Sequence, residues 1–492
     1  MSLAQKTLDS SFFILIIRGI QRSIGIVSLL ILARLLTPED FGLVAIATML
    51  VFLCDVLSDS GAQQYIVQKD EVDDDDLNTA WTLGILLKTG LAVILIACAW
   101  PLALFFEQPK LFWPLIVISS ILPISAFISP GILLQKRELN YQPLVRLAIV
   151  DKLGSFVITL SLAYALKSYW AMIIGVVASY VIKASYSYVI AKYSPRFTLS
   201  KLLNQWSFSK WMLLKAVLGY IKSEFDTIFI SKSFSTGDLG GYNMMKNIST
   251  LPGREVIQPL SEPLLATFAK VKGDKRSINF QILTSVTLLL SITSPIAGIL
   301  FLYDEYLVST LFDEKWQVFA PILGILSFFI INYSIVAIFQ QALTSVSKVK
   351  LLFYYDLITF AAMLAAFLLF FSGDLVVFAE WRIIIAAVSL LLIVAVVWFY
   401  FSFSLFAFAG LLIPIVFANY LASFSQYLFF SELAFLNLLI LSAIYGALYI
   451  ITLCISFFLM KFINRDVDKT VEWITQLLSQ QLSRFTAKVK RS

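Results

Sequence analysis

Residues 35–45 read LLTPEDFGLVA, and residues 233–243 read SFSTGDLGGYN. Both carry a helix-start signature. Thr37 can cap, Pro38 suits the first helical position, and the acids Glu39 and Asp40 meet the positive end of a helix. Thr236 followed by Asp238 supplies the same elements. Aligned on these residues, Thr37 falls on Thr236, Glu39 on Asp238 and Gly42 on Gly241. Each segment lies between two apolar stretches. Taken singly, each is no more than a good N-cap. Their recurrence predicts two six-span halves in the same orientation, related by an axis along the membrane normal. Parallel repeats of that kind are a transporter architecture, with the substrate path between the lobes.

The composition around these segments agrees. The chain has 492 residues, of which 59% are hydrophobic and 14% charged, against roughly 25% charged in soluble domains. Mean hydropathy is +0.87. This excludes a soluble enzyme, a disordered chain and a disulfide scaffold, and points to a polytopic membrane protein. Histidine is absent, which excludes His-based triads, His-ligated zinc and imidazole relays. Cys54, Cys98 and Cys454 fall in apolar stretches with no metal-knuckle spacing. The first apolar stretch carries Arg18 and Arg22 and is expected to be a permanent span, not a cleaved leader.

A bilayer core needs about 20 apolar residues per helix. That window finds about fourteen spans, near 10–33, 41–62, 80–105, 111–134, 143–166, 168–191, 209–232, 239–265, 280–303, 316–342, 350–372, 374–401, 405–428 and 434–461. Spans seven and eight are the most polar. The expected fold is an all-α polytopic membrane protein with two pseudo-symmetric six-helix lobes plus two extra C-terminal helices. The lobes fall at 1–200 and 201–402, the added pair at 403–461 and a cytoplasmic amphipathic tail at 462–492. Val467, Val471, Ile474, Leu478, Leu482 and Phe485 give the tail its apolar face. With both termini cytoplasmic, inward segments hold roughly 20 Lys and Arg against about 5 outward, a strong positive-inside bias. The acidic run DEVDDDD at 70–76 is expected to be a solvated inner loop.

Charges recur inside the spans, where each costs ~2.5–3.5 kcal/mol at a lipid-facing helix centre. Most must therefore face protein or a wet cavity. Arg18 and Arg22 share a helix face, as do Asp55 and Asp59, and Lys222 and Asp226. The cations Arg18, Arg22, Lys222, Lys246 and Arg254 lie nearest the span centres and are the candidate ligands of an anionic headgroup. Arginine offers a planar fork for phosphate oxygens and lysine a point charge. The competing structural reading pairs Arg18 and Arg22 with Asp55 and Asp59 across the first hairpin. Asp55, Asp59, Asp226 and Asp356 are candidates for coupling transport to protons or sodium. Lys88 and Lys183 are further charges within spans. Pro252, Pro259 and Pro263 in span eight suggest kinks.

The run RLLTPEDFGLVAIATMLVFLCDVLSDSGAQQYIVQKDE (34–71) resembles the opening of bacterial polysaccharide-export flippases. The resemblance continues through EQPKL (107–111), LLQKRELNYQPLVR (133–146) and FDTIFISKSFSTGDLGGYNMMKNISTLP (225–252). These flippases belong to the multidrug/oligosaccharidyl-lipid/polysaccharide exporter superfamily. The resemblance implies fourteen helices in two lobes, alternating access, and transfer of an undecaprenyl-pyrophosphate-linked glycan across the bacterial inner membrane. The product would be a surface polysaccharide: O-antigen, capsule or exopolysaccharide. It implies no enzymatic activity and no cofactor beyond a H+ or Na+ gradient. Membrane lipids and the glycan-lipid are the expected partners. A polysaccharide polymerase and a chain-length regulator are candidate protein partners, and no nucleic acid is expected. The runner-up is a small-molecule efflux antiporter of the same superfamily. A membrane glycosyltransferase or polymerase would need a catalytic loop larger than any here.

Overall fold

The structure, a computed structural model, describes residues 19, 21–58, 66, 69, 71–138, 140–261, 263–428, 434–463 and 468–472, without the side chains of 203–212, 214, 215, 254 and 256. Among the described residues every regular element is a helix. Eleven of these are long and apolar enough to cross a membrane, and they coincide with expected spans two to six and nine to fourteen. Two more of the expected spans are helical but polar, at Leu202–Ser233 and Thr236–Pro252. Residues 21–35 supply the described part of the first. The chain is therefore an all-α polytopic membrane protein.

It divides into two compact units, Met1–Asn243 and Met244–Ser492. In the first, α1 (21–35) is followed by α2 (Pro38–Leu57), α3 (Asp74–Ala97), α4 (Ala99–Phe105), α5 (Phe112–Ser119), α6 (Ile121–Ala126) and α7 (Gly131–Arg137). Then come α8 (Gln142–Leu166), α9 (Trp170–Ile190), α10 (Leu202–Ser233) and the start of α11 (Thr236–Pro252). The α8–α9 hairpin packs through small residues: a Cβ on Gly175 would lie 2.0 Å from the Thr159 hydroxyl oxygen. Close packing of this kind, a glycine against a threonine side chain, replaces the hydrophobic drive that lipid cannot supply between helices.

The acidic run at 70–76, expected as a solvated loop, is partly that: among its described residues Glu71, Asp73, Asp74 and Asp75 are exposed, and 71–73 precede the helix. Asp73 caps α3, accepting from the Asp76 amide at 2.8 Å, and its own amide donates to Asp76 Oδ2 at 3.1 Å. The bond from the Asp76 amide first, with Lys201 Nζ 3.4 Å from Asp73 Oδ2, holds the Asp73 carboxyl below the ordinary range. Asp76 is fully buried and paired with Lys69. Asp74, Asp75 and Asp76 form the acidic first turn of α3, where the helix dipole favours negative charge.

The second unit continues from α11. After Pro252 the helix widens into a π turn, Gly253–Ile257, then α12 (Gln258–Ser261) and α13 (Leu264–Val271). Pro259 has no N–H to donate back to residue 255, so the break falls where proline chemistry places it. There follow α14 (Lys275–Leu302), α15 (Asp304–Leu311), a 3-10 turn at Glu314–Phe319, α16 (Ala320–Ser327), α17 (Phe329–Ser345), α18 (Val349–Phe370), α19 (Leu375–Phe401), α20 (Leu405–Ala422) and α21 (Ala434–Met460). The core joins Ile282 and Leu289 of α14, Ile338 and Phe339 of α17, Val397 of α19 and Leu411 of α20. Large side chains such as Phe399 and Leu369 point outward at 84% and 72% exposure, as hydrocarbon-facing residues should.

The last two spans join α14 through a polar chain. The Tyr445 hydroxyl donates to Asn419 Oδ1 at 2.7 Å, Asn419 Nδ2 donates to Ser294 Oγ at 3.0 Å, and Ser294 meets the Tyr449 hydroxyl at 3.2 Å. The expected amphipathic tail lies mostly outside the described residues.

Candidate functional site

Arg18 and Asp59 lie outside the described residues, and Arg254 is described only as backbone in the π turn. Arg22 on α1 is half-buried, as are Lys222 on α10 and Lys246 on α11. One turn beyond Lys222, Asp226 is fully buried, and the Tyr242 hydroxyl donates to its Oδ2 at 3.1 Å. The long α10 packs on α2, and the Tyr220 hydroxyl donates to the Met49 carbonyl at 2.8 Å. The first unit thus holds Arg22, Asp55, Lys222 and Asp226, whereas Lys246 and Asp356 belong to the second.

Asp55 is paired from an unexpected direction. Its Oδ1 lies 2.7 Å from Lys88 Nζ on α3, and that ammonium also donates to Ser125 Oγ at 2.9 Å. The pair is partly open, with side chains 38% and 20% exposed. Sequence spacing could relate residues along one helix, but not choose between α1 and α3 as the neighbour of α2.

A second triad was missed. Asp151 on α8 is buried, accepts from Ser179 Oγ at 2.5 Å and lies 3.4 Å from Lys183 Nζ. Lys183 also sits 5.1 Å over the Tyr180 ring. The signal was present: an acid in one apolar stretch, and a serine and a lysine four residues apart in the next, hence on one face. In both triads a carboxylate and an ammonium offset each other's desolvation in a setting where an isolated charge is costly.

The two helix starts that opened the sequence reading stand side by side within the first unit. Thr37 and Asp40 form a capping box on α2. On α11 the reciprocal bonds join Ser235 and Asp238, at 3.0 Å from the Asp238 amide to Ser235 Oγ and 3.2 Å from the Ser235 amide to Asp238 Oδ2. Thr37 therefore corresponds to Ser235, one residue from the alignment expected from sequence, and Gly42 corresponds to Gly240. The contact is reciprocal in that frame. A Cβ on Gly42 would lie 1.8 Å from the Thr236 carbonyl oxygen, and a Cβ on Gly240 would lie 1.8 Å from the Pro38 carbonyl oxygen. Pro38 and Thr236 are themselves equivalent, so the crossing is self-complementary, like an isologous interface. Only residues without a Cβ permit it.

Comparison with known proteins agrees with this architecture. Residues 31–321 match the family described as "Polysaccharide biosynthesis protein". The lipopolysaccharide biosynthesis protein WzxC of Escherichia coli K12 is 24% identical over 341 residues, covering 66% of this chain and 67% of that protein. The succinoglycan biosynthesis transport protein ExoT of Rhizobium meliloti is 24% identical over 363 residues, covering 73% and 74%. Among solved structures, the lipid II flippase MurJ in an inward closed conformation superimposes with a TM-score of 0.72 at 14% identity, over 91% of this chain and 99% of its own. An inward-facing multidrug resistance MATE family transporter of the MOP superfamily gives 0.58 at 13% identity, over 78% and 94%. The fold is thus that of this exporter superfamily, and, with more than half of its length matched by the family, the chain belongs to the polysaccharide biosynthesis protein family.

Proposed function

We propose that the protein flips an undecaprenyl-pyrophosphate-linked oligosaccharide from the inner to the outer leaflet of the bacterial inner membrane by alternating access, for surface polysaccharide assembly. In this reading both termini are cytoplasmic, as the positive-inside bias requires. The chemistry is transport, with no covalent step. Arg18, Arg22, Lys222, Lys246 and Arg254 hold the pyrophosphate during transfer. Asp55, Asp59, Asp226 and Asp356 couple the cycle to a H+ or Na+ gradient. The exported unit passes on to a polysaccharide polymerase and a chain-length regulator.

One observation carries the reading. The 32-residue helix Leu202–Ser233 is long enough to cross a membrane, yet keeps Lys222 and a fully buried Asp226 one turn apart. Such charges are retained in a span when they face the bundle interior or a polar path. The printed names of WzxC and ExoT, in lipopolysaccharide biosynthesis and succinoglycan transport, support the glycan class. The cations that the sequence places near the span centres suit a pyrophosphate better than an organic cation, which favours this reading over drug efflux.

The test is lipid extraction from a strain lacking the gene. A single pyrophosphate-linked oligosaccharide should accumulate on the inner face. Alanine at Arg22 or Lys222 should reproduce that accumulation with normal protein levels. Normal surface glycan together with a changed drug susceptibility would overturn the proposal in favour of efflux.

A further inference from the structure

One helix of the second unit leaves a polar face open. In the span that α17 completes, 61% of the most apolar stretch is buried, against 17% in α19. Tyr333, at 43% exposure, is the one exposed residue of α17. Its face continues through the half-buried Ala337, Gln340, Gln341 and Thr344, while Phe329, Ile330, Ile338 and Phe339 lie on the buried side. Ala337 packs on the core, so this face presents an aromatic ring, two amides and a hydroxyl. A hydrocarbon-facing stripe is the reverse: α19 exposes Ile384, Val388 and Leu391. A polar stripe on a membrane helix faces protein or water instead of lipid. The side-chain amides of Gln340 and Gln341 hydrogen-bond to no described residue, and they are not buried. Tyr333 is held in place by its neighbours. Its ring lies 5.9 Å from that of Phe329, tilted by 25°. A Cβ on Gly253, the first residue of the π turn after α11, would lie 3.2 Å from its Cδ2. The next residue along the chain is Arg254, assigned above to the pyrophosphate.

We propose that this face of α17 binds the sugar rings of the transported glycan. The inference rests on the glycan reading above and supplies residues for its carbohydrate half. A pyranose presents an apolar face of C–H bonds and a rim of hydroxyls. The C–H face stacks on the Tyr333 ring, whose π face is electron-rich. A glutamine amide both donates and accepts, so Gln340 and Gln341 exchange hydrogen bonds with the hydroxyls. Residues 333, 340 and 344 lie within about 40° of one another around the helix and span about 17 Å along it, room for more than one ring. No Lys, Arg, Asp or Glu occurs in α17. A bare pyrophosphate therefore finds no cation on this face, and an organic cation finds a ring but no carboxylate. A sugar ring finds both of its partners. The first sugar of such a glycan is bonded directly to the pyrophosphate, which fits a ring platform that touches the residue preceding Arg254.

The test measures binding of two probes to the purified full chain. One is undecaprenyl pyrophosphate; the other is the pyrophosphate-linked oligosaccharide extracted from a strain lacking the gene. The parent should bind the glycosylated probe about tenfold more tightly than the bare one. Y333L should lose most of that preference, and Q340L should cut it about threefold. Y333W, which keeps an aromatic face, should retain it. Binding of undecaprenyl pyrophosphate should stay at the parental level in all three variants, which separates a lost sugar contact from a folding defect. Parental preference in both Y333L and Q340L would overturn the inference and leave the pyrophosphate assignment standing. Equal binding of the two probes by the parent would do the same. Equal weakening of both probes in Y333L and Q340L would also overturn it, as would a Y333W variant that loses the preference as Y333L does. A parent that binds neither probe would overturn the glycan reading itself, and this inference with it.

Discussion

Replacing Gly42 by alanine places a methyl carbon 1.8 Å from the Thr236 carbonyl oxygen and 2.8 Å from its carbonyl carbon. The obstacle is backbone at a capped helix start, not the end of a flexible side chain. The two starts must therefore separate by about 1.2 Å or more before even a tight contact of about 3 Å is reached. Overpacking on this scale costs about 3 kcal/mol. The cost falls only on the state in which α2 and α11 touch, so it shifts the population away from that state by about a hundredfold. The proposed topology puts these starts at the outer face, which makes G42A a variant biased toward outer opening. Because the contact is reciprocal, G240A should match G42A. Separation that admits one methyl admits the other, so the double variant should add little to either single one. The assay is disulfide trapping between cysteines at Glu39 and Gly237, whose positions are adjacent in this crossing, with the three native cysteines changed to serine. Trapping should fall steeply in G42A and G240A, and glycan export should fall with it. G84A, at a glycine whose Cβ would meet nothing within 4 Å, is the control. Trapping and export at the parental level in G42A would refute the close crossing.

Three further outcomes follow from the geometry. Lys88→Met alone should cost about 1–2 kcal/mol in denaturant unfolding, discounted for the partial exposure of the pair, and Asp55→Asn should restore much of it. A double variant no better than Lys88→Met would show the pair uncoupled. Tyr445→Phe removes the donor to Asn419 and should lower stability by about 1–2 kcal/mol, read as earlier proteolysis at the last two spans; an unchanged digestion profile would contradict this. Asp304 lies between membrane spans, and burial pushes its carboxyl up to about 6. Such a group adds no penalty where folded and unfolded forms are both protonated. Its destabilisation sets in as pH rises through the ordinary carboxylate value and is complete above about 6. D304N should therefore melt higher than the parent at pH 7 but not at pH 4, and a gap independent of pH would count against that origin.

Much of the architecture was legible because membrane insertion is a one-dimensional constraint. A run of apolar residues must become a helix, since no water is present to satisfy its backbone. Spans two to six and nine to fourteen follow from that alone. Spans seven and eight drew weaker signals for a physical reason: Lys222, Glu224, Asp226 and Lys246 lower the hydropathy of the helices that carry the polar chemistry. Three of the four aspartates at 73–76 are exposed, as their sequence suggests, and the fourth is buried. Only the fold revealed Lys69 beside Asp76 and the capping bonds of Asp73.

By itself the amino-acid sequence determined the all-helical membrane class, the position of most spans, the repeated helix start and the presence of charges that cannot face lipid. Tertiary structure alone decided which charges meet. It paired Asp55 with Lys88 rather than an arginine of the first span, gathered Asp151 with Ser179 and Lys183, and set Gly42 against Gly240 with a register one residue from the sequence alignment. Periodicity fixes the face a residue occupies on its own helix, but which neighbour that face meets depends on how separate helices pack, and no spacing along a single chain encodes that distance.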